Sequence, residues 1–172
     1  MSNLRLINQT EITSDVSSVN VTDVFSADFD IYKITIDNAS LNTSSTDLRY
    51  RFINASGSVV SASNYDSAFL VLNSGSAFGE ERETNTTHTE GISYLDTAPD
   101  SSSVVSYIFN PYSSSSYTFL TSQASTHSGR YYGHKGIAVL KQASSITGIN
   151  VLASSNSIAS GVIRTYGLRV DS

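Results

Sequence analysis

The chain has 172 residues, a length that suits one compact domain. Its hydrophobic fraction of 39% is typical of globular proteins, whereas only 15% of its residues are charged. The net charge of -5 and the scattered lysines and arginines argue against a nucleic-acid partner, because phosphate binding needs clustered basic residues. The absence of cysteine excludes disulfides and cysteine-based nucleophiles or metal ligands.

Targeting signals are not evident in the sequence. The first ten residues lack a basic segment followed by an apolar stretch, so we expect no secretion signal there. No run approaches the roughly 18 apolar residues that cross a membrane, so we expect no membrane insertion. We therefore expect synthesis and folding in a cytoplasm. Serine and threonine replace charges, which favours a neutral, hydrogen-bonding surface that assembly partners cover.

Period-two alternation recurs along the chain, and helical periodicity is almost absent. In the segment from Asp30 to Asp37, Tyr32, Ile34 and Ile36 point to one face of a strand. Alternation or short apolar runs predict eight to ten strands. Seven are Asp30 to Asp37, Thr46 to Ile53, Val104 to Phe109, Tyr117 to Thr121, Gly136 to Lys141, Ile146 to Leu152 and Val162 to Val170, and the further candidates are Leu4 to Ile7, Val19 to Phe25 and Ala68 to Leu72. Turn-forming clusters separate them. This pattern predicts an all-β, single-domain antiparallel β-sandwich or jelly roll.

One stretch departs from the alternation. From Gly75 to Pro99 the chain is polar, with four glutamates (Glu80, Glu81, Glu83 and Glu90) around a run of threonine and asparagine. We predict a long surface or inter-subunit loop over about 75–99, with a regular hairpin as the alternative. A short helix over Ser63 to Leu72 is a further option. Residues 1–23 would form an N-terminal strand or an arm that docks on a neighbouring subunit, and residues 24–172 the sandwich domain.

The histidines do not predict a metal site. His127 and His134 are seven residues apart and could approach each other across a turn. A metal site needs three or four converging ligands, and no carboxylate lies near these two in the sequence. We therefore expect no metal site and no cofactor.

Catalytic patterns are weak as well. Serine is too abundant to single out a nucleophile, and no Gly-x-Ser-x-Gly elbow occurs. The carboxylate pairs Asp28 with Asp30, or Glu80 with Glu81, could serve a glycosidase, but roles in turns and strand entries are the simpler interpretation. We expect no catalytic residues and a non-enzymatic protein. A cleft of converging acids with shifted pKa values would reverse that expectation.

Tyrosine is in excess, with ten copies beside no tryptophan. Exposed tyrosines favour interfaces because the ring offers apolar area and the hydroxyl a polar handle, and they can also stack on a sugar. Four lie in or beside predicted loops and are our candidate interface or glycan contacts, with core packing as the alternative: Tyr112, Tyr117, Tyr131 and Tyr132. Four others are expected in the core, namely Tyr32, Tyr50, Tyr107 and Tyr166.

Several segments resemble a known family. They are Ala27-Asp-Phe-Asp-Ile-Tyr-Lys-Ile-Thr-Ile36, Leu48-Arg-Tyr-Arg-Phe52, Phe109-Asn-Pro-Tyr112, Ile146-Thr-Gly-Ile-Asn-Val-Leu152 and Ile158-Ala-Ser-Gly-Val-Ile-Arg-Thr-Tyr-Gly-Leu168. Their order and spacing are similar to a β-sandwich module of structural proteins in tailed bacteriophages, notably phages of cyanobacteria and other marine bacteria. Phe29 stands where that module usually has a tyrosine. The resemblance covers about Val24 to Arg169 and marks no catalytic residue.

The resemblance implies a component of the virion exterior. A capsid decoration protein or a small attachment subunit is expected, because the module stands almost alone here and the N-terminal segment lacks fibre-shaft repeats. The implied partners are other copies of the chain and other virion proteins; a threefold site would suit a homotrimer, but the sequence does not fix the number. The alternative is a tail-fibre or receptor-binding module that recognises host surface polysaccharide.

Overall fold

The computed structural model describes residues 3–43 and 46–169. Within these ranges the chain forms twelve β-strands and no α-helix. In chain order they are β1 (Leu4–Ile12), β2 (Ser18–Val21), β3 (Ile31–Leu41), β4 (Thr46–Asn54), β5 (Tyr65–Asn73), β6 (Gly79–Thr86), β7 (Thr89–Leu95), β8 (Ser102–Phe109), β9 (Thr118–His127), β10 (Tyr131–Leu140), β11 (Ile146–Ala153) and β12 (Ile158–Leu168). Among the described residues, no helix is long and apolar enough to span a membrane.

The strands form two antiparallel sheets of unequal width. The large sheet has eight strands in the order β1-β12-β3-β8-β9-β10-β5-β6, and the small sheet has four in the order β2-β11-β4-β7. Their inner faces share one hydrophobic core, whose largest fully buried side chains include Tyr32, Tyr50, Tyr65 and Phe52. The predicted all-β, single-domain sandwich is therefore confirmed.

All ten candidate strands overlap strands of the structure, and the side chains of β3 alternate as expected. In β3, Tyr32, Ile34 and Ile36 are buried while Lys33 and Asp37 face outward. The same rule holds along β4 and β12, because successive residues of a strand point to opposite faces of the sheet. The last residue of the final predicted strand, Val170, lies outside the described residues.

The predicted loop over about 75–99 is wrong. Strand β6 pairs with β5 at the edge of the large sheet, and β7 pairs with β4 at the edge of the small sheet. This segment therefore passes from one sheet to the other. Its alternation was hidden because both faces of β6 are polar: Glu80 and Arg82 are exposed on one face, while Glu81 and Glu83 are half-buried on the other.

The optional helix over Ser63 to Leu72 is wrong, because Tyr65–Asn73 is strand β5, which contains the candidate strand over Ala68 to Leu72. Tyr65, Ser67, Phe69 and Val71 are buried in alternation with more exposed neighbours. A buried face with period two requires an extended backbone. Ser67 hid the first part of this strand in the sequence, since it breaks the run of large apolar residues.

The first 23 residues contribute two strands to the sandwich. β1 pairs with β12 at one edge of the large sheet, and β2 pairs with β11 at one edge of the small sheet. Ile12 and Val21 reach the core, where their exposed fractions are 6% and 2%.

Two of the four tyrosines assigned to the core are placed differently. Tyr32 and Tyr50 are fully buried, as predicted. Tyr107 and Tyr166 instead lie on the outer face of the large sheet, on either side of Lys33 in the cross-strand register. The prediction failed because β8 and β12 each have one face that no second sheet covers.

Gly167 shows why a strand interior can need glycine. A Cβ atom at this position would lie 2.5 Å from the ring of Phe29. The ring of Phe29 therefore packs against the backbone of β12 at this position.

Candidate functional site

The outer face of the large sheet is unusually apolar for an exposed surface. One cross-strand row runs through Lys33, Tyr107, Thr121, Ile137, Ala68 and Arg82 on β3, β8, β9, β10, β5 and β6. Adjacent positions add Leu70 and Phe119, and Ile137, Leu70 and Phe119 are 62%, 47% and 49% exposed. Alternation forces these side chains outward, because the opposite face of each strand fills the core.

This face is concave. A groove of about 1060 Å³ crosses it, with Val105, Tyr107, Leu70 and Ile137 among the side chains that line it. Polar side chains that also line it are Lys33, Gln123, Lys135, Glu80 and Arg82. The groove thus combines an apolar strip with polar groups, which is the usual composition of a surface that binds another protein.

The four candidate tyrosines do not form one site. Tyr112 and Tyr117 belong to the connection between β8 and β9, whereas Tyr131 and Tyr132 begin β10. Since β9 runs the length of the sheet between them, the two pairs lie at opposite ends, roughly 30 Å apart. A single sugar-binding patch made from Tyr112, Tyr131 and Tyr132 is therefore not assembled in one chain.

Tyr131 and Tyr132 differ from each other in their surroundings. Tyr131 is 70% exposed, and its ring centroid lies 4.9 Å from that of His127. Tyr132 stacks on Tyr94 of β7 with centroids 4.6 Å apart. Tyr131 therefore remains available for an interface, while Tyr132 helps to hold the two sheets together at this end.

The two histidines considered as a pair point away from each other. His134 is buried on the inner face of β10, where burial lowers its pKa below the ordinary value for histidine. His127 has the opposite orientation on β9 and lies 2.9 Å from a carboxylate oxygen of Asp100. His127 ends β9 and His134 lies in β10 after the turn, and their side chains lie on opposite faces of the large sheet.

An acidic cleft opens where the wide sheet extends past the narrow one. Its volume is about 560 Å³, and its walls are β6 on one side and β4 and β7 on the other. Five acidic residues and two arginines line it: Asp47, Glu80, Glu81, Glu83, Glu90, Arg49 and Arg82. Asp28 and Asp30 are exposed before β3 and do not line this cleft.

Burial and mutual repulsion act on these acids. Burial raises the pKa of the Asp47 carboxyl, and the charge of Glu90 raises it further. Burial also raises the pKa of the Glu81 carboxyl, whose oxygen accepts a 3.4 Å hydrogen bond from the hydroxyl of Tyr94. Arg49 offsets part of the charge, through a 2.9 Å contact between its Nε and Oε1 of Glu90 and a 3.6 Å contact between its Nη2 and Oδ2 of Asp47.

Beside this cleft lies a group of side chains that could hold a metal ion. Glu83, His88 and Glu90 each offer one possible ligand atom, and these atoms lie within 4.8 Å of one another. The sequence interpretation missed this group because it compared only His127 with His134 and treated the segment around His88 as a loop. The available signal was spacing: His88 and Glu90 are two residues apart, which places them on one side of an extended chain.

No protein-family model matches this chain, and no curated protein matches it. Among solved structures, the VP2 subviral particle of infectious bursal disease virus aligns with a TM-score of 0.12 and 10% sequence identity. The alignment covers 98% of this chain and 41% of that chain. So low a TM-score supports no conclusion about function. The resemblance to the tailed-phage module therefore stays a prediction.

Proposed function

We propose that this protein is a non-enzymatic structural subunit on the exterior of a bacteriophage particle. It acts by protein-protein contacts, as a capsid decoration protein or a small attachment subunit. The observation that carries the proposal is the exposed apolar strip on the outer face of the large sheet.

The chemistry of this strip favours a protein over a sugar. Its most exposed side chain is the aliphatic Ile137, and it also exposes the aliphatic Leu70 and the aromatic Phe119 and Tyr107. Sugar sites rely on aromatic faces and dense hydrogen bonding, whereas apolar surfaces of this kind are normally covered by another subunit. Burying such side chains contributes roughly 25 cal/mol per Å² of apolar area.

Composition and segment order support the same proposal. Charged residues make up only 15% of the chain, which suits a protein whose surface is covered in an assembly. The segments that resemble the phage module build β3, β4, β11 and β12, together with the end of β8. These strands supply much of the core and part of the outer face.

Two measurements test the proposal. Purified particles of the phage that encodes the chain should contain it, as detected by mass spectrometry. The purified chain should self-associate or bind those particles, and the double variant Ile137→Glu with Leu70→Glu should lose this binding by at least about tenfold, because two charges would enter an apolar contact.

A matched control is Phe78→Glu, since Phe78 is 70% exposed but lies in the turn between β5 and β6. This variant should bind as the unmodified chain does. Absence of the chain from particles, or equal binding by the double variant, would contradict the proposal.

The acidic cleft is the kind of site that would reverse the expectation of a non-enzymatic protein, and it supports a second candidate, a glycan-cleaving enzyme. Asp47 and Glu81 meet in a cleft and have raised pKa values, as a general acid requires. The purified chain would then shorten host envelope polysaccharide, and Glu81→Gln would abolish the reaction. Polysaccharide of unchanged length after prolonged incubation would remove this candidate.

A further inference from the structure

We propose that Glu83, His88 and Glu90 form a binding site for one divalent transition-metal ion, with Zn²⁺ as the best fit. Glu83 lies near the end of β6, His88 in the connection that follows, and Glu90 at the start of β7. The site therefore joins the edge of the large sheet to the edge of the small sheet. This inference is independent of the proposed structural function.

The three ligand atoms are close together. One atom from each side chain lies within 4.8 Å of the other two. The Nε2 atom of His88 is 3.8 Å from Oε2 of Glu83 and 3.5 Å from Oε1 of Glu90. In a tetrahedral zinc site, ligand atoms are ~3.3 Å apart, so small side-chain rotations would complete the geometry.

Among the described residues, one atom of each side chain also lacks a hydrogen-bond partner, whereas Oε1 of Glu90 is held by Arg49. Oε2 of Glu83, Nε2 of His88 and Oε2 of Glu90 are buried and have no hydrogen bond within the described part of the chain. The Glu90 side chain is only 9% exposed. A buried carboxylate oxygen without a partner is costly, and a cation would supply the missing interaction for all three atoms at once.

In two of the three side chains, the atom that would not bind the ion already has a neighbour that orients it. Oε1 of Glu90 accepts a 2.9 Å hydrogen bond from Nε of Arg49. Nδ1 of His88 lies 3.3 Å from the hydroxyl of Thr87. Metal ligands are commonly oriented by such neighbours, which leave the other atom of the side chain free for the ion.

The donor set indicates the class of ion. One imidazole nitrogen and two carboxylate oxygens suit Zn²⁺ and similar divalent transition metals, whereas Ca²⁺ and Mg²⁺ prefer oxygen ligands alone. Glu83 and Glu90 also line the acidic cleft, so a fourth coordination position would face that space. The negative charge of Asp47 and Glu81 nearby would further favour a cation.

The test uses the full chain after treatment with a chelator. Calorimetric titration with Zn²⁺ should show one ion per chain, and Zn²⁺ should raise the midpoint of thermal unfolding. The variants His88→Gln and Glu83→Gln should each weaken binding by at least about tenfold. Co²⁺ bound to the unmodified chain should give the intense visible absorption of a four-coordinate site.

Two variants serve as controls. Glu80→Gln removes an exposed carboxylate from the other face of β6, and His127→Gln removes the histidine that pairs with Asp100. Both should bind Zn²⁺ like the unmodified chain. The proposal would be overturned if the unmodified chain did not bind Zn²⁺, or if His88→Gln and Glu83→Gln bound Zn²⁺ as tightly as the unmodified chain does. A Co²⁺ spectrum typical of the hydrated ion would also overturn it. Binding of Ca²⁺ in preference to Zn²⁺ would overturn the assignment of the ion.

Discussion

Tyr65 connects two parts of the core through one hydroxyl group. The hydroxyl donates to the carbonyl of Val60 at 2.9 Å and accepts from the backbone N–H of Phe52 at 3.0 Å. Its ring also stacks on Phe52. The residue therefore satisfies two buried backbone groups that the strand pairings leave open.

Replacement of Tyr65 by phenylalanine should lower the free energy of unfolding by about 1–3 kcal/mol, because two buried backbone groups would lose their partner. Urea denaturation of the variant measures the change. Tyr112→Phe is the control, since Tyr112 is 41% exposed and should leave stability unaltered. Equal stability of both variants would show that the hydroxyl of Tyr65 contributes nothing.

The composition suggests that serine and threonine lie on the surface, but several of them are buried. Ser67, Ser106, Thr118, Ser122 and Thr165 are buried on the inner face of the large sheet. Their side chains are small enough to fit beneath the second sheet. Sequence alternation could not assign these positions to the core, because hydrophobicity is the signal it depends on.

At the scale of single elements, β1 and β2 test how the N-terminal segment contributes. Residues 1–23 cover one edge of each sheet and bury Ile12 and Val21. Deletion of residues 1–23 should lower the free energy of unfolding by at least about 4 kcal/mol. Each lost core side chain contributes roughly 2 kcal/mol or more, and two strand pairings disappear as well.

Thermal unfolding followed by circular dichroism measures this effect. The truncated chain should melt far below the full chain or fail to fold. Leu6→Ala is the control, because Leu6 is 50% exposed on β1 and its truncation should change little. A truncated chain that melts like the full one would instead indicate a dispensable docking arm.

Strands with one apolar face were predictable from the sequence, and strands with two polar faces were not. β3 and β4 alternate strongly, so their bounds and orientation could be predicted closely. β6 lacks a large apolar side chain altogether. Its charges make sense at an exposed sheet edge, where they oppose pairing with a strand of another molecule.

For the whole molecule, two buried tyrosines predict sensitivity to alkaline pH. Burial raises the pKa of Tyr65 to about 12 and raises that of Tyr50 as well. A raised pKa in the folded state means that the folded protein holds the proton more tightly. The resulting stability is complete below pH 10, the ordinary tyrosine value, and is lost as the pH rises toward 12.

Urea midpoints measured between pH 8 and pH 12 should therefore fall above pH 10, in a single cooperative transition because both sheets share one core. The Tyr65→Phe variant should show a shallower fall, since one of the two groups is missing. If the urea midpoint of Tyr65→Phe fell with pH as steeply as that of the unmodified chain, the role assigned to Tyr65 would be contradicted.

The fold class followed from local patterns, whereas the candidate sites depended on how the sheets are arranged. Alternation identifies which residues of a strand share a face, but it does not identify the neighbouring strands. The outer groove needs β8, β9, β10 and β5 side by side, and the acidic cleft needs a wide sheet beside a narrow one. Both arise from strand order, which no short segment encodes.

Strand β6 belongs to both candidate sites, because Glu80, Glu81 and Arg82 line both the groove and the cleft, and Glu83 lines the cleft. One backbone carries the side chains of both sites, so its position cannot be adjusted for one site without moving the other. If a cation and a neighbouring subunit both bind as proposed, their affinities are thermodynamically linked. Each would alter the binding of the other by the same factor, as reciprocity requires.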